Sequence, residues 1–174
     1  MTTALARSAI APVLAEARVR AEQVTQLVLG ESAVVLDSSG EWRRVCTTFD
    51  GYDGWIHSGY LVEQEDSAAE EWRTRATAWC EGAVLRMGGT RLSLPLRARV
   101  VLAGDSVELP DGRRGRIAEG SIHEMKDVLA AAKAKAPSAG HSTTSPAALT
   151  SGEGSRPGAS TAPAWCRPPS PPGA

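Results

Sequence analysis

Thiols and imidazoles are the groups in this chain that could do covalent chemistry. Papain-like hydrolysis needs a cysteine thiolate, a histidine to take its proton, and a third polar group to orient the ring. Cysteines stand at Cys46, Cys80 and Cys166, and histidines at His57, His123 and His141. No CxxC pair and no Cys/His cluster is formed among them, so neither a zinc site nor a disulfide framework is indicated. Cys46, inside an apolar run, and Cys80, after Trp79, read as small core residues. Cys166 sits among prolines, with no base in a foldable segment to activate it. The three histidines are isolated and read as satisfied or exposed side chains. No catalytic residue, metal ligand or cofactor is therefore assigned.

A second constellation is Asp50-Gly-Tyr-Asp-Gly-Trp55. Its structural reading is a tight turn feeding a strand, with Trp55 in a core and Tyr52 packed over the turn. Its carboxylates and its ring could also hold an ammonium group.

Charge narrows the field. The chain of 174 residues carries 19 Lys plus Arg against 20 Asp plus Glu, a net charge of −1. That balance argues against general nucleic-acid binding and against a polybasic membrane anchor. No run of apolar residues is long enough to span a membrane, and Met1–Arg7 lacks the pattern of a secretory signal. The expectation is a cytoplasmic protein with reduced thiols.

The elements that must position these residues are short strands. Ser8–Leu14 and Val24–Leu29 are apolar runs, and Gly30-Glu31 punctuates them. Ala33–Leu36 leads into the turn Asp37-Ser-Ser-Gly40, Trp42–Phe49 resumes the strand, and Trp55–His57 and Gly59–Val62 follow. Strands with turns at this spacing predict a small barrel. Glu63–Thr77 predicts a short helix, with Asp66-Ser67 as its cap and Trp72 and Ala76 on one face. A second strand series runs from Trp79 to Ile122, and Pro110-Asp-Gly112 within it predicts a hairpin turn. His123–Ala136 predicts a helix bearing the stripe Met125, Val128, Leu129, Ala132. Beyond Pro137 the composition changes: residues 137–174 hold eight of the eleven prolines and lack apolar residues for a core. Such a segment is expected to be disordered. The predicted fold is mainly β: a first barrel over 7–63, a helical linker over 64–78, a second, smaller barrel over 79–123, a helix over 124–136, and a disordered tail over 137–174.

Four matches carry a family resemblance. Glu22-Gln-Val-Thr-Gln26, Leu29-Gly-Glu31, Trp42 with Val45, and Asp50-Gly-Tyr-Asp-Gly-Trp55 make residues 7–62 resemble the first bacterial SH3 (SH3b) module of NlpC/p60-type cysteine endopeptidases. Residues 79–122 look like the second module, chiefly through Val107-Glu-Leu-Pro-Asp-Gly112. The resemblance implies hydrolysis of the γ-D-glutamyl–diamino acid bond in peptidoglycan-derived peptides. It implies that the first module borders the substrate cleft and helps select a free N-terminal amine, which makes Tyr52, Asp50 and Asp53 the candidate substrate-bordering residues. In the family an Ala-rich helix leads into a papain-like catalytic domain, and that domain is missing from the readable sequence.

The tail offers a reason. Read one base upstream, the codons for Thr150–Gly154 are compatible with tyrosine, leucine, tryptophan and two glycines. Those for Thr161–Cys166 are compatible with aspartate, cysteine, serine, glycine, leucine and valine. These resemble the family's nucleophile region in order and spacing. The expectation is a frameshifted endopeptidase gene, the shift lying between about Ala131 and Ser142, and a product without peptidase activity. Expected partners are a peptidoglycan-derived peptide and the missing catalytic domain as docking partner, with no nucleic acid and no membrane. Self-association through the uncovered Val128–Leu129 face is expected too. Two alternatives stand beside this reading. One is a free-standing interaction module that binds cell-wall peptide or a proline-rich segment such as Pro168-Pro-Ser-Pro-Pro172. The other is an active endopeptidase, made if the frame is corrected.

Overall fold

A computed structural model describes residues 2–135. The tail over 137–174, its proline run, His141 and Cys166 lie outside the described residues. In the strands, alternate residues point inward. On β6 (Asp53–His57), Gly54 and Ile56 are buried and Asp53 is exposed. Trp55 is thereby turned outward and half-buried, so Ile56 fills the core position expected of the tryptophan.

The first unit comprises β1 (Thr2–Ala6), β2 (Ile10–Leu14), β3 (Gln23–Val28), β4 (Ser32–Ser39), β5 (Trp42–Thr47), β6, a single 3-10 turn over Ser58–Tyr60, and β7 (Leu61–Glu65). Helix α1 (Asp66–Arg75) follows. The second unit comprises β8 (Ala78–Cys80), β9 (Ala83–Met87), β10 (Thr90–Leu94), β11 (Arg99–Ala103), β12 (Ser106–Glu108), β13 (Arg114–Glu119) and β14 (Ile122–Glu124), with helix α2 (Met125–Lys135) behind it. Strand order is β3-β2-β6-β5-β4-β1-β7 in one sheet and β10-β9-β13-β12-β11-β8-β14 in the other. Shifting the first order by seven strands gives the second, so the chain repeats one topology. The β12–β13 hairpin turns as expected at Pro110-Asp-Gly112: Gly112 has φ +79° and its N–H donates to the Leu109 carbonyl at 2.9 Å.

Three boundaries differ from the sequence reading. β1 lies ahead of residue 7, where the first barrel was read to open, and pairs with both β4 and β7. The stretch Glu63–Glu65 completes β7 instead of starting the helix. Asp66 does not cap α1 from outside; it sits in the first turn, where its carboxylate accepts from Thr3 Oγ1 at 2.7 Å.

Each barrel has its own apolar centre. Val13, Leu27, Val45 and Ile56 lie in the first, and Leu85, Val100, Val107 and Leu109 in the second. Leu29, from the first unit, is buried in the second core. A third cluster joins Leu5 of β1, Trp72 and Ala76 of the α1 region, and Val101 of β11. Helix α1 is therefore a wedge between barrels, not a tether. Trp72 Nε1 donates to the Gly30 carbonyl at 3.0 Å, and Arg99 N–H donates to the Leu29 carbonyl at 2.9 Å. α2 contrasts with it: Leu129 is half exposed, and its main packing is against β14.

Glu108 ties α1 to the second barrel through Arg75 at 3.1 Å and Arg114 at 2.7 Å. Burial pushes its carboxyl up, but the hydrogen bond from Arg114 and the charges of Arg75 and Arg114 together outweigh that and hold it below the ordinary carboxylate range. A carboxyl depressed on folding stabilises the protein above its unfolded pKa, and that contribution disappears as pH falls through the lowered folded value. Glu108→Gln is thus expected to flatten the acid limb of the stability curve while lowering the plateau at neutral pH. Chemical denaturation at stepped pH checks this; an unchanged acid limb would refute the tie.

Candidate functional site

The candidate residues of the β5–β6 turn do not form one open acceptor. Thr47, fully buried, donates its hydroxyl to the Asp50 carboxylate and accepts the Tyr52 N–H at 2.7 Å. Gly51 closes the turn with φ +75° and an N–H bond to the Thr47 carbonyl at 3.0 Å. Asp50 is thus engaged in shaping the turn. Asp53 lies on β6 in a two-pronged pair with Arg44, at 2.9 and 2.7 Å. The hydrogen bond and charge of Asp53 raise the Arg44 pKa above its ordinary value. Tyr52 is half exposed, instead of packed down over the turn, and presents its ring to solvent. Of the three, Tyr52 has the most surface to offer a ligand; each carboxylate keeps lone pairs but already serves an internal partner.

A larger feature sits on the same barrel. An apolar groove of about 530 Å³ runs between the β2–β3 loop, β5 and the 3-10 turn. It is lined by Val19, 83% exposed on that loop, by Pro12 and Leu14 of β2, and by an aromatic wall of Trp42, His57 and Tyr60. The rings are ordered by local chemistry. His57 precedes the 3-10 turn and caps it: Nδ1 accepts the Gly59 N–H at 3.1 Å. That bond leaves the proton of a neutral ring on Nε2, which lies 3.4 Å from Glu41. Trp42 meets His57 edge-on with centroids 5.4 Å apart, and Tyr60 meets it at 6.3 Å. Such a wall presents apolar area at small entropic cost, with the indole N–H and phenol O–H as orienting donors.

The sequence reading treated His57 as isolated. Its neighbours are Trp42, across the β5–β6 pairing where the two residues are in register, and Tyr60 beyond the turn. The available signal was the run His57-Ser-Gly-Tyr60, in which a histidine precedes a one-turn element that orients an aromatic. Among the described residues, no cysteine lines the groove. The Cys80 thiol is buried and accepts the Ala83 N–H at 3.1 Å. Cys46 is buried on β5. Among the described residues no group of three His, Cys, Asp or Glu side chains could hold a metal ion, and no helix is long and apolar enough to cross a membrane.

A small antiparallel barrel with an aromatic groove defines a binding module. Residues 11–62 match the bacterial SH3 domain family. The chain shares its fold with two NlpC/P60 structures and resembles their SH3b region. One is an NlpC/P60 family protein from Bacillus cereus, with 16% identity and a TM-score of 0.57, over 70% of this chain and 56% of that one. The other is an NlpC/P60 endopeptidase from Photobacterium damselae subsp. piscicida, with 10% identity and a TM-score of 0.52, over 70% of this chain and 33% of that one. The chain thus spans about half and a third of those proteins. No curated protein matches the sequence.

Proposed function

We propose that the chain is the non-catalytic, substrate-bordering SH3b region of a cysteine endopeptidase that acts on peptidoglycan-derived γ-D-glutamyl–diamino acid peptides, and that it has no peptidase activity itself. The supporting observation is the repeated barrel: two copies of one topology, wedged together by Trp72, in a fold shared with NlpC/P60 proteins. The aromatic groove and Tyr52 supply the surface that would meet the peptide. In this reading a papain-like catalytic domain is the natural docking partner, α2 leads toward it, and the cytoplasm is the site of peptide recycling.

The test is direct. The full chain should leave L-Ala-γ-D-Glu-diaminopimelate intact, and turnover that vanishes in Cys166→Ala would overturn the reading. The gene should encode, one base upstream, Trp-Gly-Gly and then Asp-Cys-Ser-Gly across the codons of Gly152–Ala164. Third bases at Ser160, Thr161 and Ala162 that forbid Asp-Cys-Ser would sink the frameshift. If the frame is corrected during translation, the natural product will be far heavier than 18.2 kDa by intact mass.

A second reading is favoured by one observation: every residue that lines the groove belongs to the first barrel. A free-standing module would then bind a peptide through Trp42 and Tyr60 alone. Titration calorimetry with cell-wall peptide and with a proline-rich peptide separates the two ligands. For whichever binds, Trp42→Ala is expected to weaken affinity at least tenfold, about 1.4 kcal/mol, as for a central aromatic anchor. Tyr52→Phe should leave a groove ligand unaffected and weaken a ligand that reaches the β5–β6 turn.

A further inference from the structure

The outward face of the second barrel carries a row of arginines. Strand register sets Arg91 opposite Arg86, Arg86 opposite Arg116, and Arg116 opposite Ser106. All three arginines are exposed, while Leu85 beside Arg86 and Gly115 beside Arg116 are buried. Like charges directly opposed across an antiparallel pair repel and destabilise the sheet. The surrounding carboxylates offset this only at Arg91. Glu119 pairs with Arg91, Glu108 with Arg114 and Arg75, and Asp111 with Arg113. Among the described residues, Arg86 and Arg116 face one another with no ion-pair partner.

Over them lies a shallow depression of about 340 Å³, lined also by Arg114 and Ser106. Its rim at Gly88 has no side chain to close it. Strands lie about 4.8 Å apart, so the row from Arg91 to Ser106 spans roughly 14 Å. That length exceeds a single phosphate and suits several in sequence. Each guanidinium offers a planar fork that matches a phosphate edge. The strands β9, β10, β12 and β13 carry no aromatic residue, so bases would find nothing to stack on.

We propose that this row is a binding site for a linear polyanion of repeated phosphate groups, laid across the strands from β10 to β12. Binding relieves the Arg86–Arg116 repulsion and releases counterions. The chain's net charge of −1 makes the attraction local, not general. The site is separate from the groove and does not depend on the function proposed above.

The experiment titrates the full chain with inorganic polyphosphate from about 50 to 200 mM salt, a range over which phosphate contacts weaken steeply. Polyphosphate is expected to bind, with affinity falling linearly with salt on logarithmic axes. Arg86→Glu should weaken it at least tenfold and lower the salt slope by about one. The same variant should melt no lower than wild type at low salt, because its new carboxylate faces Arg116. Three results would each overturn the proposal: no binding at the lowest salt, equal binding by Arg86→Glu, or tighter binding of poly-glutamate or oligothymidylate than of polyphosphate.

Discussion

Gly30→Val should disrupt the junction between the barrels and remove most of the protein's stability. Gly30 has φ +85°, where β-branched residues are strained. A Cβ there would lie 2.1 Å from the Arg99 carbonyl oxygen and 2.9 Å from its carbon, both backbone atoms of β11. No rotamer change relieves that overlap. Moving the loop away would pull on three bonds: Gly30 N–H to the Ala6 carbonyl at 2.9 Å, Trp72 Nε1 to the Gly30 carbonyl at 3.0 Å, and Arg99 N–H to the Leu29 carbonyl at 2.9 Å. It would also draw Leu29 from the second core. The expected cost exceeds about 4 kcal/mol, in the exceptional range for one substitution. Gly40→Val is the control, since Gly40 has φ +56° but open space around its missing Cβ. It should cost only turn strain, about 1–2 kcal/mol. Equal losses for the two variants in urea unfolding would show that the junction adds nothing beyond backbone conformation.

What the sequence made legible divides along local and non-local lines. Pro110-Asp-Gly112 was readable because turn chemistry lies within a few residues, and the structure holds that hairpin. Trp72 and Ala76 were readable as one buried helical face because their spacing is local. β1 was not, since Thr2–Ala6 is too short and mixed to announce a strand; its partners lie some thirty and sixty residues away. Gly30-Glu31 read as punctuation, which it is, but its second duty toward Arg99 depends on a contact the chain makes only when folded. The candidate site divides the same way. Asp50 and Gly51 were legible as a turn. The pairing of Asp53 with Arg44 and the edge-on contact of His57 with Trp42 arise from β5–β6 register, which no single window reveals.

Trp72 offers a way to separate packing from hydrogen bonding at the junction. Its side chain is 6% exposed and packs with Leu5, Ala76 and Val101. Trp72→Ala removes that packing and leaves the Gly30 carbonyl without its donor, so a loss of about 3–5 kcal/mol is expected. Trp72→Phe keeps most of the apolar contact and should lose about 1–3 kcal/mol, the cost of one orphaned buried acceptor. The difference between the two is then the packing contribution. The mode of unfolding carries further information. Each barrel is small enough that a separate core is marginal. The second is the more exposed to loss, because it borrows Leu29. Hydrogen exchange in Trp72→Ala should therefore show β8–β13 amides losing protection before those of β2–β6, whereas wild type protects both together. A Trp72→Ala variant that stays within about 1 kcal/mol of wild type would mean that the barrels stand independently. The wedge would then be a contact of convenience, and the two SH3-like units would be free to reorient about α1.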